Sequence, residues 1–332
     1  MSLAVSGCDD QLFVYALCRV TEAAARAARG LIGRGDRSHP NRTAIEAMRL
    51  ELNALSLSGR VICGEDGGLE PDRGLPSGLE FNNAPDGAKR FDIVADPIEG
   101  TSYLARGMTN AMAVMALAPE GSLFDPGPAF YMEKFAAPAA ARGKIDPNAP
   151  TQVKLGQLSS VLDKPVSELT VFVLEKPRHR DLVNQIHNAG ARVALYPAGD
   201  VAGALMASMS GSGIDALMGT GGSREGLLSA VAIRALGGEF TMRIDPQLTT
   251  EKAAVSKAGL NTSAWMTLDE MVKSDNVHFT ATGITTGLLF EGVEPDGGME
   301  RTQSLLISGP SQQGARGRRQ LLTTWHELGD AA

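Results

Sequence analysis

An α/β protein of two packed halves is the class predicted here, on three observations. Between residues 170 and 236, short apolar runs alternate with segments of helical spacing, as parallel βαβ units require. Ahead of residue 145, two amphipathic helices come first and several apolar strands follow. The chain has 332 residues, 43% of them hydrophobic, enough to bury one large core or two.

The elements follow in order. Residues 10–32 read as a helix, with Leu12, Val20, Ala24, Ala27 and Leu31 near helical spacing and Gly33 at the end. A second helix spans 43–55: Thr43 and Glu46 fit a capping box, and Ile45, Met48, Leu52 and Leu55 line its apolar face. Residues 60–63 form a short strand running into a Gly-rich turn that contains Glu65. Residues 70–90, rich in Gly, Pro and Asn, form a loop. Strands follow at 91–95, at 111–118 and near 129–136. The second half starts with a buried strand at 170–174. It continues as helix 181–189, strand 191–196, helix 201–209, strand 214–218 and helix 224–236. The boundary falls near 145–165, giving an α+β half over 1–155 and an α/β half over 156–332. The Gly- and Arg-rich tail after Ser308 is either mobile or part of a subunit contact.

Composition removes several functions. A net charge of −7 argues against nonspecific nucleic-acid binding. No apolar run approaches the ~20 residues of a membrane span. No basic region precedes an apolar stretch at the N-terminus, so no signal peptide is expected. Cys8, Cys18 and Cys63 form neither a metal-ligand spacing nor an even disulfide set, and read as buried thiols of a cytoplasmic protein.

The chemistry concentrates in Asp96-Pro97-Ile98-Glu99-Gly100-Thr101, directly after an apolar strand. Asp96 and Glu99 supply oxygen ligands for hard divalent cations. Gly100 lets backbone approach an anion. Thr101 orients a water made nucleophilic by a metal. Amides after Gly100, at a helix start, suit a phosphate. The alternative is a strand followed by a Pro/Gly turn with two solvated acids, the reading Asp-Pro alone would take; the whole hexapeptide after a buried strand favours the catalytic one. Lys176, Arg178 and His179 lie past a strand end, where two fixed cations and a third suit a phosphate. The alternative is a basic loop before a helix. Tyr131 and Lys134 fit the substrate's other end, or are ordinary interface residues. Gly219-Thr220-Gly221-Gly222-Ser223-Arg224-Glu225-Gly226 lacks both G-x-G-x-x-G and Gly-Lys-Ser/Thr, so it reads as a tight strand-to-helix turn and not a nucleotide loop. His39, His187, His278 and His326 show no ligand spacing.

The hexapeptide resembles the signature of the metal-dependent, lithium-sensitive sugar and inositol phosphatases. Further segments narrow it: Gly33-Arg34-Gly35-Asp36, Glu46-Ala47-Met48-Arg49, Tyr131-Met132-Glu133-Lys134, Lys176-Pro177-Arg178-His179, Gly199-Asp200-Val201-Ala202 and Glu225-Gly226. They stand in the order seen in class II fructose-1,6-bisphosphatases, a family that includes bacterial dual fructose/sedoheptulose bisphosphatases. The resemblance runs to about Ser308. It implies a layered α/β/α/β/α sugar-phosphatase fold, a role in carbohydrate metabolism, and a homodimer or homotetramer. It implies hydrolysis of the 1-phosphate of a sugar bisphosphate, a small-molecule partner. Glu65, Asp96 and Glu99 become ligands of Mg²⁺ or Mn²⁺, Asn41 and Glu225 weaker ones, and Thr101 the water-orienting group. Gly100, Ser102, Tyr131, Lys134, Lys176, Arg178, His179, Asp200 and Glu225 become substrate contacts, Glu225 on the metal or the sugar side.

The chain departs from the family at four positions. Asn41 replaces a metal-binding Asp, and Gly67 a Glu two residues after Glu65. Ser102 follows the signature where many relatives carry Arg. Ala198-Gly199-Asp200 replaces Asp-Gly-Asp, removing a carboxylate expected at sugar hydroxyls. Two alternatives therefore stand beside the bisphosphatase. One is a phosphatase specialised for another sugar or cyclitol phosphate; the other is a non-catalytic sugar-phosphate-binding relative.

Overall fold

The computed structural model describes residues 8–66, 73–309 and 317–327. The first elements are α1 (Cys8–Arg29), α2 (Ser38–Ala54), β1 (Ser58–Cys63), β2 (Glu80–Asn82), β3 (Arg90–Glu99), α3 (Thr101–Ala105) and β4 (Met112–Pro119). Next come β5 (Tyr131–Ala137), α4 (Thr151–Leu162), β6 (Thr170–Leu174), α5 (Arg180–Asn188), β7 (Arg192–Tyr196), α6 (Asp200–Ser208) and β8 (Ala216–Gly222). The chain continues through α7 (Ser223–Leu236), β9 (Glu239–Ile244), α8 (Thr249–Lys257), α9 (Leu268–Met271), β10 (His278–Gly283), β11 (Glu294–Asp296), β12 (Met299–Ser308) and β13 (Arg318–Glu327). Two sheets with helices make it an α/β protein, as the alternation predicts.

The chain forms two compact units, and they do not divide at a single boundary near residue 155. The first combines Met1–Glu120 with Asn276–Ser308 and Arg318–Ala332; the second is built on Gly121–Asp275. The reason is strand pairing: β10 returns to pair antiparallel with β4, and β12 pairs with β10. No local sequence signal reports such a long-range return.

In the first unit the sheet order is β11-β12-β10-β4-β3-β1-β2, with β13 on β12. Its central strands β3 and β4 are buried at all but one end residue each, and β4 accordingly reads as a continuous apolar run. Helix α1 buries Leu17, Val20, Ala24 and Ala28 and packs over β10 and β12. Thr21, fully buried on that face, hydrogen-bonds Thr280 at 3.1 Å and Thr282 at 2.8 Å. Thr282 meets Ser304 at 2.8 Å, and Ser304 donates to Glu22 at 3.2 Å. Buried polar groups hold their place only when bonded in this way. Burial pushes the Cys18 thiol up to about 12, so it stays protonated. Cys18 is buried, as expected, but Cys63 is only half-buried, and neither forms a disulfide among the described residues. Gly67 lies outside the described residues, as does the Cys8 side chain.

Helix α2 begins at Ser38, five residues ahead of the expected start. Asp36 Oδ1 accepts from the amides of Ser38 at 2.8 Å and His39 at 3.4 Å, capping the helix in place of the Thr43/Glu46 box. Those amides hold the Asp36 carboxyl below its ordinary range. Thr43, already inside the helix, donates to His39 O at 3.0 Å.

In the second unit the sheet order is β7-β6-β8-β5-β9. Strands β7, β6 and β8 are parallel, as expected of βαβ units, but β5 runs antiparallel to both β8 and β9. The sheet is mixed because β5 precedes the βαβ run and inserts beside its last strand. Its core gathers Phe135, Leu155, Leu158, Val171, Val173 and Ile186. Gly203 of α6 seats the Phe172 ring: a Cβ there would lie 2.5 Å from Phe172 Cδ1.

Candidate metal and phosphate sites

In the first unit the hexapeptide is not a strand followed by a polar turn. Strand β3 continues through Glu99, with Asp96 1% and Glu99 2% exposed. Two residues of a regular strand three apart face opposite sides. Here the pairing with β4 slips: Asp96 lies opposite Val114, and Glu99 opposite Met112. Val114 and Met112 are two apart and share a face, and directly opposed residues share a face. The extra residue therefore turns Asp96 and Glu99 to the same side of the sheet. Pro97, with no N–H to give a ladder, sits inside the irregular stretch. Ile98 N donates back to Asp96 Oδ1 at 3.2 Å and fixes that carboxylate.

Gly100 then takes φ +83° and begins α3; a Cβ on it would fall 2.8 Å from the Tyr103 ring. Thr101 and Ser102 are the first residues of α3, both half-buried. Glu65 stands past the end of β1. Asn41, on α2, donates from Nδ2 to Glu65 Oε2 at 3.3 Å. The amide's other atom, Asn41 Oδ1, is buried and accepts no hydrogen bond among the described residues. The donor set is oxygen throughout, which suits a hard divalent cation, and Asn41 holds an oxygen in reserve. No three His, Cys, Asp or Glu side chains among the described residues come together as a preformed metal cluster.

The second unit assembles charge differently. Lys134 on β5 is buried, and its Nζ donates to Asp200 Oδ2 at 2.6 Å. Asp200 opens α6 after Gly199, whose φ is +86°. Glu225, in the first turn of α7, lies 3.4 Å from Arg224. Burial pushes the Glu225 carboxyl up, but Arg224 and Lys134 outweigh it and hold the group below its ordinary value. The glycines of β8 make room: a Cβ on Gly221 would lie 2.0 Å from Asp200 Oδ2, and one on Gly222 1.9 Å from Glu225 Oε2. The glycine run is thus strand, not turn, and α7 follows it directly.

Thr220, between those glycines, is held at three points. His179 Nε2 accepts its amide at 2.8 Å, Arg178 donates to its carbonyl from Nε at 3.1 Å and Nη2 at 2.8 Å, and its hydroxyl donates to Asp245 at 2.5 Å. The Arg178 guanidinium also stacks 5.0 Å above the Tyr131 ring. Lys176 and Arg180 line a cavity of about 540 Å³ with Leu174, Pro177, Val183 and Leu195.

Two expected phosphate contacts do other work here. His179 was expected as a third cation, but both its ring nitrogens are taken by backbone: Nδ1 meets Leu174 O at 2.7 Å, and Nε2 accepts from Thr220. A ring that accepts at Nε2 is neutral, and burial lowers its pKa in the same sense. Lys134 is the partner of a carboxylate rather than an open cation. Arg178 keeps its place beside Tyr131, already oriented. Glu225 lies among cations in the second unit and is not one of the first unit's acids. Sequence reasoning missed Thr220, Asp245 and Arg224. The dense glycines of 219–222 were the available signal, because glycine inside a strand marks a close approach by another group.

The family model described as bacterial fructose-1,6-bisphosphatase, glpX-encoded, matches residues 11–319. The chain is 38% identical over 328 residues to a D-fructose 1,6-bisphosphatase class 2/sedoheptulose 1,7-bisphosphatase 2 of Acaryochloris marina, covering 91% of this chain and 93% of that one. It is 38% identical over 319 residues to the D-fructose 1,6-bisphosphatase class 2/sedoheptulose 1,7-bisphosphatase of Synechococcus elongatus, covering 89% and 92%.

Proposed function

The chain belongs to the glpX-encoded family of bacterial fructose-1,6-bisphosphatases, and on that premise we propose that it is a metal-dependent phosphatase removing the 1-phosphate of fructose-1,6-bisphosphate, sedoheptulose-1,7-bisphosphate or both. One observation carries the reading: the slip in β3 that turns Asp96 and Glu99 to one side.

Asp96, Glu99 and Glu65 would hold Mg²⁺ or Mn²⁺, with Asn41 Oδ1 as a neutral ligand. Such a cation, when bound, neutralises phosphate charge and acidifies a water. Thr101 would orient that water, its hydroxyl accepting one hydrogen bond from it and so aligning the oxygen with the phosphorus. Gly100 and Ser102 offer backbone and hydroxyl to the phosphate. In the second unit, Lys176 and Arg178 take a phosphate, with Arg178 fixed in advance by Thr220 and Tyr131. Asp200 and Glu225, held by Lys134 and Arg224, accept sugar hydroxyls. His179 and Lys134 act as positioning residues. The protein works as a homo-oligomer in the cytoplasm.

The test is phosphate release from both bisphosphates, with Mg²⁺ or Mn²⁺, by wild type and Asp96→Asn. Release by the wild type alone supports the reading; none from either sugar overturns it. A second reading, a phosphatase refitted for another sugar or cyclitol phosphate, is favoured by Ala198, which leaves the turn before α6 without a second carboxylate. Asn41→Asp combined with Ala198→Asp separates the two. A rise in kcat/KM on either bisphosphate supports the first reading, and no gain on either supports the second.

A further inference from the structure

The tail after Ser308 holds a feature that phosphate hydrolysis does not use. Strand β13 pairs with all ten residues of β12, from Arg318 opposite Ser308 to Glu327 opposite Met299. Among the described residues β12 is its only strand partner, and the other edge of this ten-residue strand faces away from the sheet; at its end the Glu327 carbonyl accepts from Arg26 Nη2 at 3.3 Å. Edges of this length are normally shortened, bulged or covered, because they template pairing with another strand.

The side chains on this edge alternate. Leu322, Thr324 and His326 are half-buried, and Thr324 donates to Glu22 of α1 at 2.8 Å. The opposite face is exposed and carries Arg319, Leu321, Thr323, Trp325 and Glu327, with Leu321 55% and Trp325 51% accessible. The Trp325 indole is fixed by its N–H to Asp296 at 2.7 Å.

We infer that β13 pairs antiparallel with β13 of a second copy of this chain, across a two-fold axis through Thr323, joining the two sheets into one. The argument is self-complementarity. Residues directly opposed across such an axis share a face. Centred on Thr323, the pairing sets Thr323 against itself, Leu321 against Trp325 of the second copy, and Arg319 against Glu327. These are the hydroxyl, aromatic–aliphatic and opposite-charge pairs that stabilise antiparallel strands. On the other face Leu322 meets Thr324, and Gln320 meets His326. Moving the axis to Thr324 opposes Leu321 to Glu327; moving it to Leu322 opposes Arg319 to Trp325. Only the Thr323 register matches the whole exposed face. On that other face Tyr15 of α1 accepts from Gln320 at 3.1 Å. The inference rests on the homo-oligomer proposed above and gives it a face; it does not depend on the catalytic chemistry.

The test combines sedimentation velocity with crosslinking of the full chain. Wild type sediments as a dimer or a larger even assembly. Thr323→Cys treated with a short bismaleimide gives a covalent dimer. Leu321→Cys gives none, because its counterpart lies four residues along the opposed strand, while Leu321→Cys with Trp325→Cys does. Trp325→Lys, with its melting temperature checked against wild type, raises the dimer dissociation constant about tenfold or more. Arg319→Glu and Glu327→Arg each weaken assembly, and together they restore it. A monomeric wild type overturns both the interface and the homo-oligomer. A stable oligomer that resists Trp325→Lys and fails to crosslink through Thr323→Cys overturns this interface alone. Crosslinking through Leu321→Cys but not Thr323→Cys overturns the register.

Discussion

The first unit gathers its charged groups by adding a residue; the second gathers them by removing side chains. In β3 the slip between Asp96 and Glu99 rotates two acids to one side. In β8, Gly221 and Gly222 leave space in which Asp200 and Glu225 lie against the backbone. The products differ as well. The second unit supplies its own counter-charges: Lys134 for Asp200, and Arg224 with Lys134 for Glu225. The first unit's donors are all oxygens, and one of them, Asn41 Oδ1, accepts no hydrogen bond among the described residues. One arrangement is complete in the protein alone. The other is suited to a cation from solution.

The comparison can be broken from either side. The largest effect is expected at Asp96. Asp96→Asn removes the charge of a proposed ligand but keeps the shape, so kcat/KM should fall by roughly a hundred- to a thousandfold, given several kcal/mol of metal stabilisation. The circular dichroism spectrum should be unchanged. Near-normal turnover at saturating Mg²⁺ would remove Asp96 from the metal. Thr101→Ala comes next. In the proposed role its hydroxyl acts on the attacking water and not on ground-state binding, so kcat should drop on the order of a hundredfold with KM nearly constant. A change confined to KM would make Thr101 a binding residue.

In the second unit, Gly221→Ala should act the other way round. The new Cβ would sit 2.0 Å from Asp200 Oδ2 and 3.1 Å from Lys134 Nζ, so the pair must shift. Overpacking of this kind costs about 1–3 kcal/mol, and KM should rise by about the corresponding tenfold or more while kcat changes little. Equal losses in kcat and KM would show that the two units are not separable as drawn.

The smallest effect concerns His179. Burial depresses its folded pKa below the ordinary 6.5, and Thr220 N–H needs the neutral ring. Between the two pKa values the unfolded chain binds the proton and the native one does not, so stability falls as pH drops below about 6.5. His326 is shifted in the same direction and contributes to the same limb. The melting temperature of wild type should therefore fall from pH 7 to pH 5 more steeply than that of His179→Gln. Parallel curves would show that His179 does not titrate in the native protein over that range.

Much of this was legible from the chain. Apolar runs located β4 and β6 closely, and the helical spacing of α5 to α7 was read within a residue or two. Where the reading failed, the cause was nonlocal. Pro97 and two acids signal a turn in any local window, yet β3 runs through them because β4 flanks it and the slip absorbs the proline. Arg318 and Arg319 suggest a charged tail, yet Leu321 to Trp325 find β12 as a partner. His179 looked like a cation because its backbone partners, Leu174 and Thr220, lie 5 and 41 residues away. Charge type is visible in a sequence; whether a charge is already spent on a partner is not.

The central claim is that Asp96 and Glu99 share one cation. Mn²⁺ binding followed by electron paramagnetic resonance on wild type, Asp96→Asn, Glu99→Gln and the double variant tests it without reference to turnover. If the two carboxylates hold the same ion, each single change weakens that Mn²⁺ strongly and the double change adds little more. If the single variants bind Mn²⁺ as wild type does, or their losses simply add, the slip in β3 does not build a shared metal site.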